Sequence, residues 1–157
     1  MSGYANSQQA DLPPKKLVID HDDYHAEHVG RTRDGRQFFL TTPFVPSWDE
    51  NEGREFVAMY IFDVDGGLLE SRIDDFGTRA NLDHAARRAL YEARLAELGE
   101  VEFARIEIAP FNVEHDGIQF GLIPRAPEEP GGSWWVELQP GNYMAFHEPW
   151  DSGEYDT

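Results

Sequence analysis

Three Asp-Gly pairs constrain the fold of this chain more than any other feature of its sequence. They are Asp34-Gly35, Asp65-Gly66 and Asp116-Gly117. Asp-Gly favours the type I′ turn, whose two central residues need positive φ and whose twist matches that of the flanking strands. Each pair therefore predicts a tight turn between antiparallel strands, with φ above zero at the glycine.

The turns also predict which residues face one another across the strands. With a two-residue loop at each pair, the expected partners are Arg31 with Phe38, Gly30 with Phe39 and Val29 with Leu40; Phe62 with Leu69, Tyr60 with Ser71 and Ala58 with Ile73; and Val113 with Phe120 and Phe111 with Leu122. The stretch REFVAMYIFDV, residues 54–64, is apolar on both faces. That pattern is typical of a central strand.

One segment has helical rather than strand character. Residues 81–100, NLDHAARRALYEARLAELGE, carry an apolar stripe with helical spacing. Asn81 is placed to cap the start, and Gly99 stands where a glycine commonly ends a helix. The stripe consists of Leu82, Ala86, Ala89, Leu90 and Ala93. Because alanine dominates it, we expect the helix to lie close against a sheet.

The remaining apolar segments read as further strands, at residues 15–20, 102–110, 134–140 and 142–147. The order is a run of antiparallel strands, one long helix, then more antiparallel strands, which is an α+β arrangement. We predict an antiparallel sheet meander of about six to nine strands with three Asp-Gly hairpins and the helix packed on one face. Residues 1–14 read as a flexible N-terminal tail, and 15–157 as a single α+β domain.

Composition narrows the classes of function. The chain has 30 acidic and 13 basic residues and a net charge of −17. Such a field repels nucleic acid and anionic membranes and favours a basic protein partner. The absence of cysteine excludes disulfides, thiol catalysis and cysteine-ligated metals. The sequence shows no phosphate-binding loop, dinucleotide fingerprint or nucleophile elbow, so we expect no cofactor.

The stretch HDDYHAEH, residues 21–28, is the most chemically suggestive part of the sequence. In a helix, His21, His25 and His28 would share one face and could bind zinc. The first Asp-Gly turn instead places Glu27–Arg31 in a strand, which separates His28 from the other two. His21, Asp23 and His25 then remain as a possible metal site, while a solvated acidic strand end is the simpler interpretation.

The end of the chain, NYMAFHEPWDSGEYDT, is rich in both aromatic and acidic residues. We expect residues 143–157 to be ordered against the sheet, with Trp150 and Tyr155 as anchors, because buried aromatic rings can offset the ordering of a short segment. The neighbouring acids would face a cationic partner. They are Glu148, Asp151, Glu154 and Asp156.

Three stretches together resemble a group of small bacterial proteins named formate hydrogenlyase regulatory protein. They are HVGRTRDGRQFF, YIFDVDGGLLESRID and FHEPWDSGEYDT. The group's motifs, an I-G-R-x-x-D-G-Q-F-like hairpin, an L-F-D-x-D-G-like turn and a P-W-D-G-x-Y-D-T-like ending, correspond here to Val29–Phe38, Ile61–Gly66 and Pro149–Thr157. The ending differs from the group's by Ser152 and Glu154 around its glycine. The resemblance implies a bacterial cytoplasmic protein and assigns no catalytic residues.

Two hypotheses for the function follow. The first is a non-enzymatic acidic module that binds a basic protein, either regulatory or of the inhibitor or immunity kind. The alternative is a metal-dependent or carboxylate-based enzyme that uses His21, Asp23 and His25. The N-terminus lacks the apolar core of a signal peptide, and the longest apolar run, FVAMYIF, is too short to span a membrane. We therefore expect a cytoplasmic location without membrane or nucleic-acid binding.

Overall fold

The computed structural model describes residues 12–22, 26–46, 52–141, 144–150 and 153–155, the last three by their backbone alone. Within these residues the chain forms thirteen strands and one helix of more than one turn. Their bounds are β1 (Leu17–Ile19), β2 (His28–Thr32), β3 (Gln37–Thr41), β4 (Phe44–Val45), β5 (Arg54–Phe62), β6 (Leu68–Asp75), α1 (His84–Glu97), β7 (Val101–Phe103), β8 (Ile106–Ile108), β9 (Phe111–His115), β10 (Ile118–Arg125), β11 (Trp135–Gln139), β12 (Met144–Phe146) and β13 (Gly153–Tyr155).

The strands form three antiparallel sheets. A six-stranded sheet has the order β4-β5-β3-β2-β7, with β6 paired to the other edge of β5. A five-stranded sheet has the order β13-β12-β11-β10-β9, and β1 pairs with β8 alone. The α+β class with antiparallel strands is confirmed, but the number of strands exceeds the prediction. One reason is that residues 102–110 do not form one strand: they contribute β7 to the six-stranded sheet and β8 to the two-stranded one.

Strand β5 lies at the centre of the fold, as its two apolar faces predict. Every residue from Glu55 to Phe62 is buried. One face, with Phe56 and Tyr60, packs in a core shared with the five-stranded sheet and with β1 and β8. The other face, with Val57 and Met59, packs against α1. The molecule therefore has three layers: the helix, the six-stranded sheet, and the two smaller sheets.

The helix differs from the prediction at its start and in the face that it buries. Its N-cap is Asp83, whose side chain accepts a hydrogen bond from the Ala86 backbone at 3.0 Å, rather than Asn81, which lies in a short 3-10 turn. Gly99 follows the C-cap with φ of 74°, as predicted. The residues packed on the sheet are Leu90, Tyr91, Leu95 and Leu98, whereas Ala86, Ala89 and Ala93 are exposed. Larger side chains remove more apolar surface from water, so they decide which face is buried.

Ion pairs attach the helix to the sheet below it. Arg94 donates to both carboxylate oxygens of Asp74 on β6 at 3.1–3.2 Å, and Arg72 on β6 donates to Glu97 at 2.9 Å. These contacts cross from sheet to helix near its C-terminal end. They orient a helix that has no fully buried residue of its own.

The three Asp-Gly pairs form two kinds of loop. Around Asp116-Gly117 the predicted two-residue loop is observed, with φ of 52° and 78°, and the pairing of Val113 with Phe120 is as predicted. At Asp34-Gly35 the loop holds three residues, because the Thr32 amide donates to the Arg36 carbonyl at 2.8 Å. The register there is shifted by one residue, so Gly30 pairs with Phe38 and not Phe39.

The loop at Asp65-Gly66 also holds three residues, and the Asp63 amide donates to the Gly67 carbonyl at 2.8 Å. An irregularity after Ile61 absorbs the difference. Phe62 therefore pairs with Leu68 rather than Leu69, while the pairings of Tyr60 with Ser71 and of Ala58 with Ile73 are as predicted. In these two loops positive φ is found at the glycine alone, which is the three-residue arrangement that places glycine last.

A single side-chain amide joins the six-stranded sheet to β8. Gln37 is 1% exposed. Its Nε2 donates to the Glu107 carbonyl at 2.9 Å and to the Asp63 carbonyl at 3.2 Å, and its Oε1 accepts from the Glu107 amide at 2.8 Å. The side chain thus pairs with β8 as a neighbouring strand would, on the edge opposite β1.

Gly66 and Gly35 should respond differently to alanine, although both have φ above 90°. A Cβ on Gly35 meets no atom within 4 Å, whereas one on Gly66 would lie 2.8 Å from the Glu107 carbonyl oxygen and from the Ile108 Cα. Gly35→Ala should cost about 1–2 kcal/mol from its left-handed conformation. Gly66→Ala should cost roughly 1–3 kcal/mol more because backbone must move. Equal losses in urea unfolding would contradict the close contact between this loop and β8.

Replacing Gln37 tests the amide bridge. Gln37→Met keeps the length of the side chain but leaves the Glu107 amide and carbonyl without this partner. We expect the free energy of unfolding to fall by roughly 2–4 kcal/mol, since each orphaned buried polar group costs about 1–3 kcal/mol. The matched control is Gln119→Met, at an exposed position on β10, which should change stability by less than about 0.5 kcal/mol. Similar values for the two variants in urea unfolding would contradict the bridge.

Candidate functional site

A groove of about 760 Å³ lies between α1, from His84 to Leu95, and the β2 and β3 end of the six-stranded sheet. We call it the helix groove. Its lining combines acidic, basic, imidazole and hydroxyl groups: Glu27, His28, Thr42, His84, Ala85, Arg87, Arg88, Tyr91, Glu92 and Leu95. Convergent polar groups on a concave surface are one feature by which small-molecule sites are recognised.

His28 and Tyr91 form a contact that joins the strand wall of the groove to the helix wall. His28 lies in β2, as predicted, and its Nδ1 is 2.5 Å from the Tyr91 hydroxyl. That hydroxyl also donates to the Leu40 carbonyl at 3.3 Å. A phenol has one proton to donate, so both contacts are satisfied when the Nδ1–H of His28 donates to the hydroxyl oxygen. The Nε2 of His28 is then an acceptor.

Burial lowers the pKa of His28 below its ordinary value of 6.5. The nearby Glu27 carboxylate opposes this shift, and His21 adds to it. The ring also meets Phe103 edge-on, at 5.4 Å between centroids. His28 is therefore a neutral hydrogen-bonding group at neutral pH, although its Nε2 lies 4.0 Å from a Glu27 oxygen.

The groove contains one arginine that is ion-paired within the described residues, Arg87, and one that is not, Arg88. Nine of the eleven arginines pair with carboxylates within the described residues. Arg87 is one of them: it reaches the 6%-exposed Glu55 at 3.3 Å, and Arg79 reaches the same carboxylate at 3.4 Å. Arg88 has no ion pair in that part of the chain, although it lines the groove four residues before Glu92.

The histidine cluster predicted from HDDYHAEH is described only in part. His21 is exposed; its Nε2 is 3.0 Å from the Glu27 carbonyl, and its ring stacks on Phe103 with centroids 5.6 Å apart. Asp23 and His25 lie outside the described residues. Among the residues that are described, no group of three or more histidine or acidic side chains could hold a metal ion.

The C-terminal segment is also described in part. Trp150 packs against the main core, and its carbonyl accepts a hydrogen bond from the Val18 amide at 2.9 Å. Glu148 is exposed, and β13 pairs Glu154 with Ala145 and Tyr155 with Met144. Asp151 and Asp156 lie outside the described residues. The predicted anchoring is thus confirmed for Trp150, and the role of these residues in binding a partner stays a prediction.

The outward side of the five-stranded sheet carries a hydrogen-bonded carboxylate. Glu137 on β11 accepts from the indole N–H of Trp135 at 2.9 Å and from the Gln139 amide at 2.8 Å, and Arg125 lies 3.6 Å away. All four side chains are half-buried, and Glu114 on the same side of the sheet is exposed. We call this surface, together with the chain from Glu148 onward, the acidic face.

The helix groove was not predicted from the sequence. The signal that could have found it is the helical spacing of His84, Arg88 and Tyr91, which places three polar residues on one face. From the sequence alone, that face of the helix would be assigned to the solvent-exposed surface, because the sequence does not show which sheet edge lies beside it.

Comparison with known proteins adds no identity. No family model, no curated protein and no solved structure matches this chain. Among the described residues, no helix combines the length and apolar character needed to cross a membrane.

The lowered pKa of His28 predicts a dependence of stability on pH. Because the folded-state pKa lies below the unfolded value of 6.5, the unfolded chain binds the proton more readily. The contribution of His28 is fully present above the unfolded pKa and is lost as the pH falls toward the folded pKa. His28→Asn keeps a hydrogen-bond donor near Tyr91 but does not titrate.

Urea midpoints between pH 7.5 and 5 should therefore fall more steeply for the wild type than for His28→Asn, with the other histidines contributing equally to both. An NMR titration of the His28 ring gives a direct check. A pKa at or above 6.5 would contradict the burial that the structure shows.

Proposed function

We propose that this protein is a non-enzymatic acidic binding module that recognises a basic protein through the acidic face, in a regulatory or inhibitory role. The observation that carries the proposal is how the charged residues are used: most basic side chains are ion-paired, and acidic residues are in excess. Nine of the eleven arginines are engaged in ion pairs within the described residues, and the chain carries 17 more negative than positive charges. Such a field accelerates encounter with cationic partners.

The layering of the fold favours the acidic face as the contact surface. Helix α1 packs on the six-stranded sheet, so that sheet is covered on both sides. The five-stranded sheet contributes its inner side to the core, while Trp135, Glu137 and Gln139 on its outer side remain half-exposed. Aromatic side chains are enriched in protein interfaces, and acids around them complement the charge of a basic partner.

The C-terminal segment extends this surface. Trp150 holds the chain against the core, and β13 forms the edge of the five-stranded sheet. Glu148, Asp151, Glu154 and Asp156 supply carboxylates for a cationic partner, with Trp150 and Tyr155 as the aromatic anchors. The anchoring of Trp150 supports this proposal, because a segment that is ordered before binding loses less conformational entropy when the partner binds.

The experiment starts by capturing the partner at a defined position. A photo-crosslinking residue at Gln139 should capture a protein with a net positive charge, and one at Arg31, on the six-stranded sheet, should not. Association of the purified partner is then measured for a variant in which Glu148, Asp151, Glu154 and Asp156 become the matching amides. The control neutralises Glu52, Asp65, Glu102 and Glu107, which changes the net charge equally.

We expect the first variant to associate about tenfold more slowly at low salt, with a smaller change in dissociation rate and an unchanged melting temperature. The association rate of the control variant should fall far less. The proposal would be contradicted if the crosslinker on the acidic face captured no basic protein, or if the association rate fell equally for the two variants.

A further inference from the structure

The helix wall of the groove carries an ordered sequence of charges. His84, Arg88 and Glu92 follow one another at intervals of four residues, so they lie on one face of α1 about 6 Å apart along its axis. The basic end is the N-terminal end, where the helix dipole is positive. The wall therefore changes from basic to acidic along the length of the groove.

The basic end of the groove has side chains that could bind an anionic group. Arg88 and Glu92 have the spacing of a helical salt bridge, but within the described residues no ion pair joins them and none involves His84. Arg87, also in the lining, directs one guanidinium nitrogen to Glu55. In a protein with such an excess of acid, an unpaired arginine in a concave site is suited to a ligand carboxylate, which accepts two parallel N–H donors.

The other end of the groove has carboxylates that could bind a cation. His28 and Tyr91 touch across the groove, so their sequence neighbours Glu27 and Glu92 line the same region. Neither carboxylate pairs with an arginine or lysine among the described residues. The half-buried imidazole of His28 is neutral at neutral pH, so it does not cancel their charge, and its Nε2 adds a hydrogen-bond acceptor.

The middle of the groove is of mixed polarity and limited size. The Thr42 and Tyr91 side chains supply hydroxyl groups, and Ala85 and Leu95 supply apolar surface. A volume of about 760 Å³ is in the range of sites for small organic molecules. It is too small to hold a folded partner, so the groove and the acidic face call for different ligands.

We propose that the helix groove binds a small zwitterion, a free amino acid or dipeptide, with its carboxylate at Arg88 and His84 and its ammonium group at Glu92 and Glu27. A ligand with an anionic group alone would leave the two carboxylates facing it. A ligand with only a cation would leave Arg88 without a partner. The zwitterion satisfies both ends, and this site does not depend on the acidic face.

The test uses the full chain, labelled with ¹⁵N, and follows chemical shifts during titration with the twenty amino acids singly and with the dipeptide Ala-Ala. Propionate and propylamine serve as half-ligands that carry one charge each. We expect at least one zwitterion to bind saturably, with shifts centred on His28 and Tyr91, and the half-ligands to bind at least about tenfold more weakly.

Two variants test the assignment of the ends. Arg88→Gln and Glu92→Gln should each weaken binding of the zwitterion about tenfold or more. Their melting temperatures should stay at the wild-type value, because neither residue has an ion pair within the described part of the chain. The controls are Arg31→Gln, at the other unpaired arginine, and Glu102→Gln, and both should bind as the wild type does. Neutralising the four acids of the acidic face should leave zwitterion binding unchanged.

The proposal is overturned by any of three results: no saturable binding of any zwitterion tighter than about 10 mM, binding of propionate as tight as that of the best zwitterion, or unchanged affinity in both groove variants.

Discussion

The buried amide of Gln37 is the interaction on which the rest of the structure depends. Strand β8 has β1 on one edge only. On its other edge the Glu107 amide and carbonyl pair with the Gln37 side chain, and the Ala109 amide donates to the Gly66 carbonyl at 2.9 Å. A side chain and a loop thus complete what a third strand would otherwise supply. Without them, backbone groups at the junction of the sheets would lack these partners, at about 1–3 kcal/mol for each buried group.

The Asp65-Gly66 loop lies directly against this junction, and a Cβ on Gly66 would come within 2.8 Å of β8. The side chain of Asp63 stabilises the loop by accepting from the Asp65 and Gly67 amides, both at 2.9 Å. The three-residue form does not require the tertiary contact, because the Asp34-Gly35 loop adopts it where a Cβ on the glycine would meet no atom within 4 Å. What the contact with β8 adds is a second reason for glycine at position 66.

The sequence predicted local features better than contacts between distant segments. Periodicity was sufficient for β5, whose faces are both apolar, and turn chemistry was sufficient for Asp116-Gly117, where a Cβ on the glycine would meet no atom within 4 Å. Periodicity failed for residues 102–110, because their division between two sheets depends on strand partners far along the chain. It also failed for the helix face, where alanines fit the period but leucines bury more surface. The groove was missed because its second wall, at His28, is 63 residues from Tyr91.

The distribution of charge connects the two proposed sites. Arginines in this protein mainly join elements: Arg94 and Arg72 hold α1 to β6, and Arg87 and Arg79 hold its start to β5 through Glu55. Because these cations are engaged in the fold, the surface field is set by acids, which suits a basic partner. Arg88 differs from these arginines, because it has no ion pair within the described residues and lies in the helix groove beside Glu92, which has none there either. A ligand with both charges could pair with both side chains.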